Sequence, residues 1–245
     1  MRRKVIEEFL DSHVGTPREV ADSLADMTMI NRYMGGRRTM CRLLLRVASE
    51  RRIGKLSLLD VGGGGGDLAA MTVQSLANRG LDVSPVVLDR MPSHIRAEAL
   101  AEEEDGADRK SAANNCFPAV GGDALALPFK DNSFDVVGCS LLAHHLEPDE
   151  VVAFATQALR VARHAVLIND LIRHPLHLTL SYAGYPLYRS VLSRHDAVAS
   201  VRRSYTVEEM HAMLRRTPAE KVEGGSFFLF RMGMIAWKKQ MPVVI

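Results

Sequence analysis

Hydrophobic and polar residues define two kinds of segment that alternate along the chain. Short, continuously apolar runs are typical of strands buried on both faces, and they cover residues 55–61, 83–89, 134–139 and 164–170, with a further strand expected within 116–129. Segments with apolar residues at helical spacing cover residues 67–80, 93–104 and 148–162. This alternation predicts βαβ units, and therefore an α/β, Rossmann-like doubly wound fold with a mostly parallel, seven-stranded sheet.

The two ends of the chain and one internal stretch depart from this alternation. Residues 1–54 are expected to form a mainly helical N-terminal extension, or lid, in front of an α/β core at 55–170. Residues 171–205 follow the fifth strand and predict a cap over one edge of the sheet. Residues 206–245 predict a helix after Thr206 and then the closing strands, one or two of them within 227–239.

Composition and charge narrow the class of protein. The chain has 245 residues, 47% hydrophobic and 24% charged, and a net charge of +2, which is ordinary for a globular protein and gives no obvious source of phosphate contacts for a nucleic acid. Three cysteines without close pairing indicate a reducing compartment. Neither a signal peptide nor a membrane span is evident, so we expect a cytoplasmic monomer or homodimer without stable membrane insertion.

A run of five glycines, Gly62–Gly66, follows the first strand and precedes a helix, where a tight turn belongs. In parallel α/β sheets, ligands bind beyond the carboxyl ends of the strands. The dinucleotide pattern G-x-G-x-x-G has no match, but G-x-G-x-x-A fits at Gly64, Gly66 and Ala69. Asp89 at the end of the second strand would suit the ribose hydroxyls of either class of adenosine cofactor, so these residues alone leave both classes open.

Three further features favour a cationic cofactor. Asp60 precedes the glycines and would oppose a pyrophosphate, but it suits an ammonium or sulfonium group. Asp123, in "GDALALPF", could accept the exocyclic amine of adenine, and "SFDVVGCSLLAHHL" contains the fourth strand and its exit turn. In this order, these segments resemble the class I S-adenosylmethionine-dependent methyltransferases, in particular the small-molecule group with the ubiquinone/menaquinone-biosynthesis C-methyltransferases. The resemblance covers about residues 55–170, which would be the cofactor-binding core.

The resemblance implies S-adenosylmethionine as the cofactor and assigns it a set of contacts. The methionine part would lie against Gly62, Gly64 and Gly66, with Asp60 orienting the amino group and Cys139 and Ser140 nearby. The adenosine part would lie against Asp89 at the ribose, Arg90 or Met91 near the adenine, and Asp123 and Ala124 at the adenine edge. The glycine run is fuller than the family pattern, and the stretch between Asp89 and Asp123 is long. The segment after the fourth strand reads "CSLLAHH" and lacks the N-P-P-Y motif of adenine methylases, which further disfavours a nucleic-acid acceptor.

The same turn supplies the candidate catalytic residues. His144 and His145 follow the fourth strand, where the resemblance places acceptor-side residues, and histidine is suited to act as a general base near neutral pH. No metal site is expected, because Asp170, His174 and His177 give only a sparse H-x-x-H pattern.

The acceptor side has further candidates in the predicted cap and extension. The aromatic residues are Tyr182, Tyr185 and Tyr188; the polar ones are Arg194, His195 and Arg203, with Asn31, Arg32 and Tyr33 in the extension. We therefore expect methyl transfer to a small apolar or aromatic acceptor such as a phenol, quinone precursor or polyketide, with O-methylation slightly preferred to C-methylation. The alternatives are an NAD(P)-dependent oxidoreductase, against which the chain lacks a Tyr-x-x-x-Lys pair, and a non-catalytic protein that keeps the fold.

Overall fold

A seven-stranded sheet forms the centre of the protein in the computed structural model, which describes residues 1–10, 12, 15–90 and 117–240. The strands are β1 (Lys55–Val61), β2 (Asp82–Asp89), β3 (Ala119–Gly121), β4 (Phe134–Ser140), β5 (Ala162–Leu171), β6 (Lys221–Phe227) and β7 (Arg231–Trp237). Their order is β3-β2-β1-β4-β5-β7-β6, and β7 alone runs antiparallel to its neighbours. The connection reverses direction between β1 and β4, which makes the carboxyl ends of these strands the switch point where such sheets bind ligands.

Helices cover both faces of the sheet. They are α1 (Pro17–Tyr33), α2 (Gly36–Arg51), α3 (Asp67–Ala77), α4 (Pro148–Val161), α5 (Pro175–Ala183), α6 (Val191–Arg203) and α7 (Val207–Leu214), with short 3-10 turns at Ala143–His145, Tyr185–Leu187 and Phe228–Phe230. Two hydrophobic clusters result, one between the sheet and α2 and the other between the sheet and α4 with α7.

Adjacent leucines in β1 show why its sequence is continuously apolar. Leu58 packs in the α2 cluster, whereas Leu59 points to the opposite face and packs in the α4 cluster. Burial of each such side chain contributes roughly 2 kcal/mol to folding. The strand is thereby fixed in register, because a slip of one residue would exchange the two faces.

The predicted fold class is confirmed, and several elements lie close to their predicted bounds. Helix α7 begins with the expected capping box, in which Thr206 and Glu209 each bond the other's backbone. Two details differ from the expectations: residues 1–8 of the mainly helical extension have no helix, and β6 lies upstream of the closing strands predicted within 227–239. The helix predicted at 93–104 and the cysteine Cys116 lie outside the described residues. Within the described ranges, no helix is both long and apolar enough to cross a membrane.

Candidate functional site

A cavity of about 1040 Å³ opens at the carboxyl ends of β1, β2, β4 and β5. Its floor is the glycine turn after β1, and its walls come from α1, the 3-10 turn at Ala143–His145, and helices α5 and α6. Sites for small molecules typically have volumes of about 300 to 1000 Å³, so this cavity is at the upper end of that range. It can hold a cofactor and a second small molecule together.

The glycine turn has a backbone that other residues rarely adopt. Gly62, Gly64 and Gly66 have φ angles of 71°, 54° and 89°, all in the left-handed region. At Gly63 a Cβ atom would lie 2.9 Å from the Asp60 carboxylate and 2.9 Å from Val87. The three glycines of the D-x-G-x-G-x-G pattern are thus the positions with left-handed backbone. Gly63 is needed for a different reason, because the side chains of Asp60 and Val87 leave no room for a Cβ atom.

Asp60 lies beneath this turn and is 3% exposed. Burial, with a smaller contribution from the charge of Asp89, raises the pKa of Asp60 to about 7. Its Oδ1 atom has no hydrogen-bond partner among the described residues. A buried carboxyl group with an unused acceptor at the cavity floor fits an ammonium group, such as that of the S-adenosylmethionine methionine moiety.

Asp89 ends β2 and orders the turn from the opposite side. Its Oδ2 atom accepts a hydrogen bond of 2.9 Å from the backbone N–H of Gly64. Asp123 makes a similar contact in its own loop, where Oδ1 accepts a 2.8 Å bond from the N–H of Leu125. Both aspartates also line the cavity. Each therefore stabilises its own loop and is also placed where the predicted cofactor contact would occur.

The structure brings most of the predicted site residues to one cavity. The lining includes Asp60, Gly62, Gly64, Asp89, Arg90, Asp123, Ala124, Ser140, His144 and His145. Gly66 instead ends the turn as the residue before α3, and the side chain of Cys139 is fully buried in the core cluster. Met91 lies outside the described residues.

The histidine pair follows a strained turn, because Leu141 has a φ of 56°. The Nδ1 atom of His144 lies 2.6 Å from Oδ1 of Asp170, and the His144 backbone N–H donates a 3.0 Å bond to Oδ2. On the other side of the ring, Nε2 lies 3.4 Å from Oε1 of Glu8. His145 approaches the same carboxylate, with Nε2 at 3.7 Å from Oε2. The pair therefore faces a carboxylate that the sequence analysis did not identify.

Two ionised carboxylates determine the charge of His144. Burial lowers the pKa of His144, but the charge of Asp170, its hydrogen bond and the contact with Glu8 outweigh burial and raise that pKa to about 10. For the two carboxyl groups, Glu8 and Asp170, burial has the opposite effect and raises the pKa. The contacts with His144 outweigh burial and help to lower both pKa values below their ordinary values. In this arrangement His144 is an imidazolium at neutral pH, which donates rather than accepts a proton.

The N-terminal segment, residues 1–10, holds Glu8 in this wall. The Lys4 N–H donates to the carbonyl of Arg202, and the N–H groups of Phe9 and Leu10 donate to the carboxylate of Asp196 in α6. Helix α1 is tied to the floor separately, since Thr28 Oγ1 donates a 2.5 Å bond to Asp67 at the start of α3.

The residues predicted for the acceptor side divide into two groups. Asn31, Tyr188 and Arg203 line the cavity, whereas Arg32, Tyr33, Tyr182, Tyr185, Arg194 and His195 do not. Tyr182 and Tyr185 pack against each other, and His195 stacks on Phe9 at 3.8 Å. The H-x-x-H residues also separate: His174 caps α5, while His177 contacts the carbonyl of Ile172.

Comparison with known proteins places these features in a family. The methyltransferase domain family matches residues 59–166. A ubiquinone/menaquinone biosynthesis C-methyltransferase from Dinoroseobacter shibae is 31% identical over 179 residues, 68% of this chain and 67% of the relative. A second, from Ruegeria sp., is 34% identical over 108 residues, 42% of this chain, and only 38% of that relative's length is covered.

Solved structures agree on the fold. A putative S-adenosylmethionine-dependent methyltransferase from Methanococcus maripaludis has a TM-score of 0.55 at 13% identity and covers 90% of this chain and 94% of its own. Magnesium protoporphyrin IX methyltransferase from Synechocystis, with bound S-adenosylhomocysteine, has a TM-score of 0.52 at 15% identity and covers 84% of each chain.

Proposed function

We propose that this chain, a member of the class I S-adenosylmethionine-dependent methyltransferase family, methylates a small hydroxylated aromatic molecule of the quinone-precursor class. S-adenosylmethionine is the methyl donor of the family. The observation that carries the acceptor proposal is one cavity lined both by the cofactor turn and by an apolar wall. That wall includes Leu142, Leu180, Leu187 and Tyr188.

The cofactor supplies a methyl group that its sulfonium already activates. The residues of this chain would bind and orient it: Asp60 would hold the amino group, and the bare turn at Gly62 and Gly64 would permit close backbone contact. Asp89 would hold the ribose while keeping its bond to Gly64. Alignment of the two reactants and exclusion of water would then supply most of the rate enhancement.

On the acceptor side, the histidine turn would contact the ring substituents. His144, charged between Glu8 and Asp170, is suited to donate a hydrogen bond to an acceptor oxygen. His145 lies at the same wall and is more exposed, with 22% of its side chain accessible. The general-base role predicted from the sequence does not suit His144, because an imidazolium has no free nitrogen to accept a proton. His145 is therefore the proposed base, and His144 is the proposed hydrogen-bond donor.

The atom that receives the methyl group is part of the proposal. Both relatives are named as C-methyltransferases, which favours a ring carbon as the nucleophile. The sequence-based preference for oxygen rested on the histidine pair and stays a prediction. A ring hydroxyl would serve either outcome, because transfer of its proton to His145 would activate both the oxygen and the ring carbons beside it.

We also propose roles for the N-terminal extension and for the segment after the fifth strand. Residues 1–54 would act as a lid, since α1 lies against the glycine turn through the bond from Thr28 to Asp67. Residues 171–205 would form the acceptor cap, because α5 and α6 supply part of the cavity wall. Binding to nucleic acid is not expected.

The proposal is tested with labelled S-adenosylmethionine and a panel of acceptors. The panel contains dihydroxylated aromatic rings with and without an apolar side chain, matched aliphatic alcohols, and a nucleic acid. We expect label only in the aromatic products, and two-dimensional NMR of the product identifies a C–CH3 or O–CH3 bond. S-adenosylhomocysteine and NADPH are titrated in parallel. Binding of NADPH alone, or label only in aliphatic products, would overturn the proposal.

A further inference from the structure

A group of three metal-ligating side chains faces the cavity beside the cofactor floor. Glu8, His144 and His145 each offer one ligand atom, and these atoms all lie within 4.8 Å of one another. We propose that this group binds one divalent transition-metal ion, with Zn²⁺ as its probe, and presents it to the acceptor side of the cavity. The site consists of two imidazole nitrogens and one carboxylate oxygen, a donor set that occurs in catalytic zinc sites.

The distances fit such an ion. Ligands bound to zinc at about 2.0 to 2.2 Å in tetrahedral geometry lie about 3.3 Å from one another. Nε2 of His144 is 3.4 Å from Oε1 of Glu8, and Nε2 of His145 is 3.7 Å from Oε2 of the same group. Only small side-chain movements would bring the three ligand atoms around one ion.

His144 is prepared for this role by its second contact. Asp170 bonds Nδ1 and fixes both the ring orientation and the tautomer, which is the arrangement that metal-binding histidines typically have. Nε2 therefore points to Glu8, and this buried nitrogen has no hydrogen-bond partner among the described residues. An ion bound at Nε2 would take the place of the hydrogen bond that His144 is proposed to donate to the acceptor oxygen.

Glu8 is fixed in a comparable way. The hydroxyl of Ser200 donates a 2.8 Å bond to Oε1. Three protein ligands leave at least one coordination position for another molecule. Because Glu8, His144 and His145 all line the cavity, the open position would face the acceptor, whose ring oxygen is the expected ligand. This last step rests on the proposed function; binding of the ion itself does not.

The proposed ligands differ from the residues that the sequence analysis considered for a metal site. The expectation that the chain has no metal site was drawn from Asp170, His174 and His177, of which only Asp170 contacts the group. Glu8 is far from the histidines along the chain and belongs to no recognisable motif. Its position follows from the contacts of residues 1–10 with α6.

The test is calorimetric titration of metal-free full-length protein with ZnCl2, without cofactor or acceptor. We expect one equivalent to bind. Glu8→Gln and His145→Asn should each weaken binding at least tenfold, and Asp170→Asn should weaken it about 10- to 100-fold through loss of orientation. The matched control is His174→Asn, which removes an exposed histidine outside the cavity and keeps a favourable helix cap.

A second measurement separates metal binding from folding and from methyl transfer. Co²⁺ bound to the proposed ligands should give a visible absorption spectrum that is lost in Glu8→Gln, while the affinity for S-adenosylhomocysteine stays unchanged in that variant. No stoichiometric binding of either ion, or an equal loss in His174→Asn, would overturn the site. If the wild-type protein did not bind S-adenosylhomocysteine, that result would instead contradict the proposed function.

Discussion

His144 and Asp170 are joined by two contacts, one from the imidazole Nδ1 at 2.6 Å and one from the backbone N–H at 3.0 Å. Both side chains are 2% exposed, so the pair is removed from water. A buried charge that loses its partner typically costs about 3 to 5 kcal/mol of folding free energy. We expect Asp170→Asn to lower the free energy of unfolding by about 3 kcal/mol near neutral pH, as measured by urea denaturation.

The same pair makes stability depend on pH in the alkaline range. The pKa of His144 is raised from 6.5 to about 10 in the folded state, so its stabilising contribution is complete below pH 6.5 and is lost as the pH rises through about 10. The wild-type protein should therefore lose stability between about pH 7 and 10. Asp170→Asn should reduce that slope, and an equal slope in both proteins would contradict the charge assignment.

Asp60 links cofactor affinity to pH near neutrality. Its pKa is raised to about 7 by burial, so about half of the molecules carry a neutral carboxyl group there. An ammonium group bound beside Asp60 favours the ionised carboxylate, and the affinity for S-adenosylhomocysteine should therefore rise with pH through about 7. Calorimetry in buffers of different ionisation enthalpy should detect proton release on binding. Asp60→Asn should remove the release and weaken binding.

The same substitution has an opposite expected effect on stability. A carboxyl group whose folded-state pKa exceeds its unfolded value destabilises the folded state increasingly as the pH rises from the unfolded pKa, and fully above the folded pKa. The rise in the pKa of Asp60 from 3.8 to about 7 corresponds to at most about 4 kcal/mol of folding free energy. We expect Asp60→Asn to unfold at a higher temperature than the wild type at pH 8 without ligand, with little difference at pH 4. A lower melting temperature at pH 8 would show that Asp60 has a partner which stabilises its charge.

Asp89 is expected to be needed for the cofactor and not for the fold. Asp89→Ala removes the proposed ribose contact and the bond to Gly64, which orders the turn. We predict the loss of measurable S-adenosylhomocysteine binding, with a far-ultraviolet circular dichroism spectrum like that of the wild type. Retention of full affinity would contradict the ribose assignment.

Two glycines provide a matched test of the turn. Gly64 has a φ of 54°, whereas Gly54 has no left-handed backbone, and a Cβ atom at either position would meet nothing within 4 Å. Gly64→Ala should cost about 1 to 2 kcal/mol of stability, because the left-handed conformation is unfavourable for alanine, and should weaken cofactor binding. Gly54→Ala should leave both quantities close to wild type. Equal effects of the two substitutions would contradict a specific role of the turn.

The cofactor half of the site was predictable from sequence because its signals are local. Asp60, Gly62, Gly64 and Asp89 belong to one β-turn-α-β unit, and their spacing alone determines where each lies. Cys139 was placed near the cofactor from its position at the end of β4, but its side chain is fully buried in the hydrophobic cluster between the sheet and α4.

The acceptor wall was less predictable because contacts between distant segments build it. Glu8 stands in a stretch without regular structure, and no periodic pattern marks it. Its position depends on hydrogen bonds to α6, which a sequence pattern does not contain. The aromatic residues Tyr182 and Tyr185 were singled out by type, and they pack against each other outside the cavity lining.

The two halves of the cavity also differ in the length of chain that must be ordered to form them. The bond from Gly64 to Asp89 joins residues 25 positions apart, whereas that from Ser200 to Glu8 joins residues 192 positions apart. Each doubling of a loop adds about 0.6 kcal/mol of closure entropy, so the longer loop costs about 2 kcal/mol more. During folding, the turn that holds the cofactor can thus form early, because it needs only neighbouring segments. The histidine wall forms later, because it needs contact between residues 1–10 and α6.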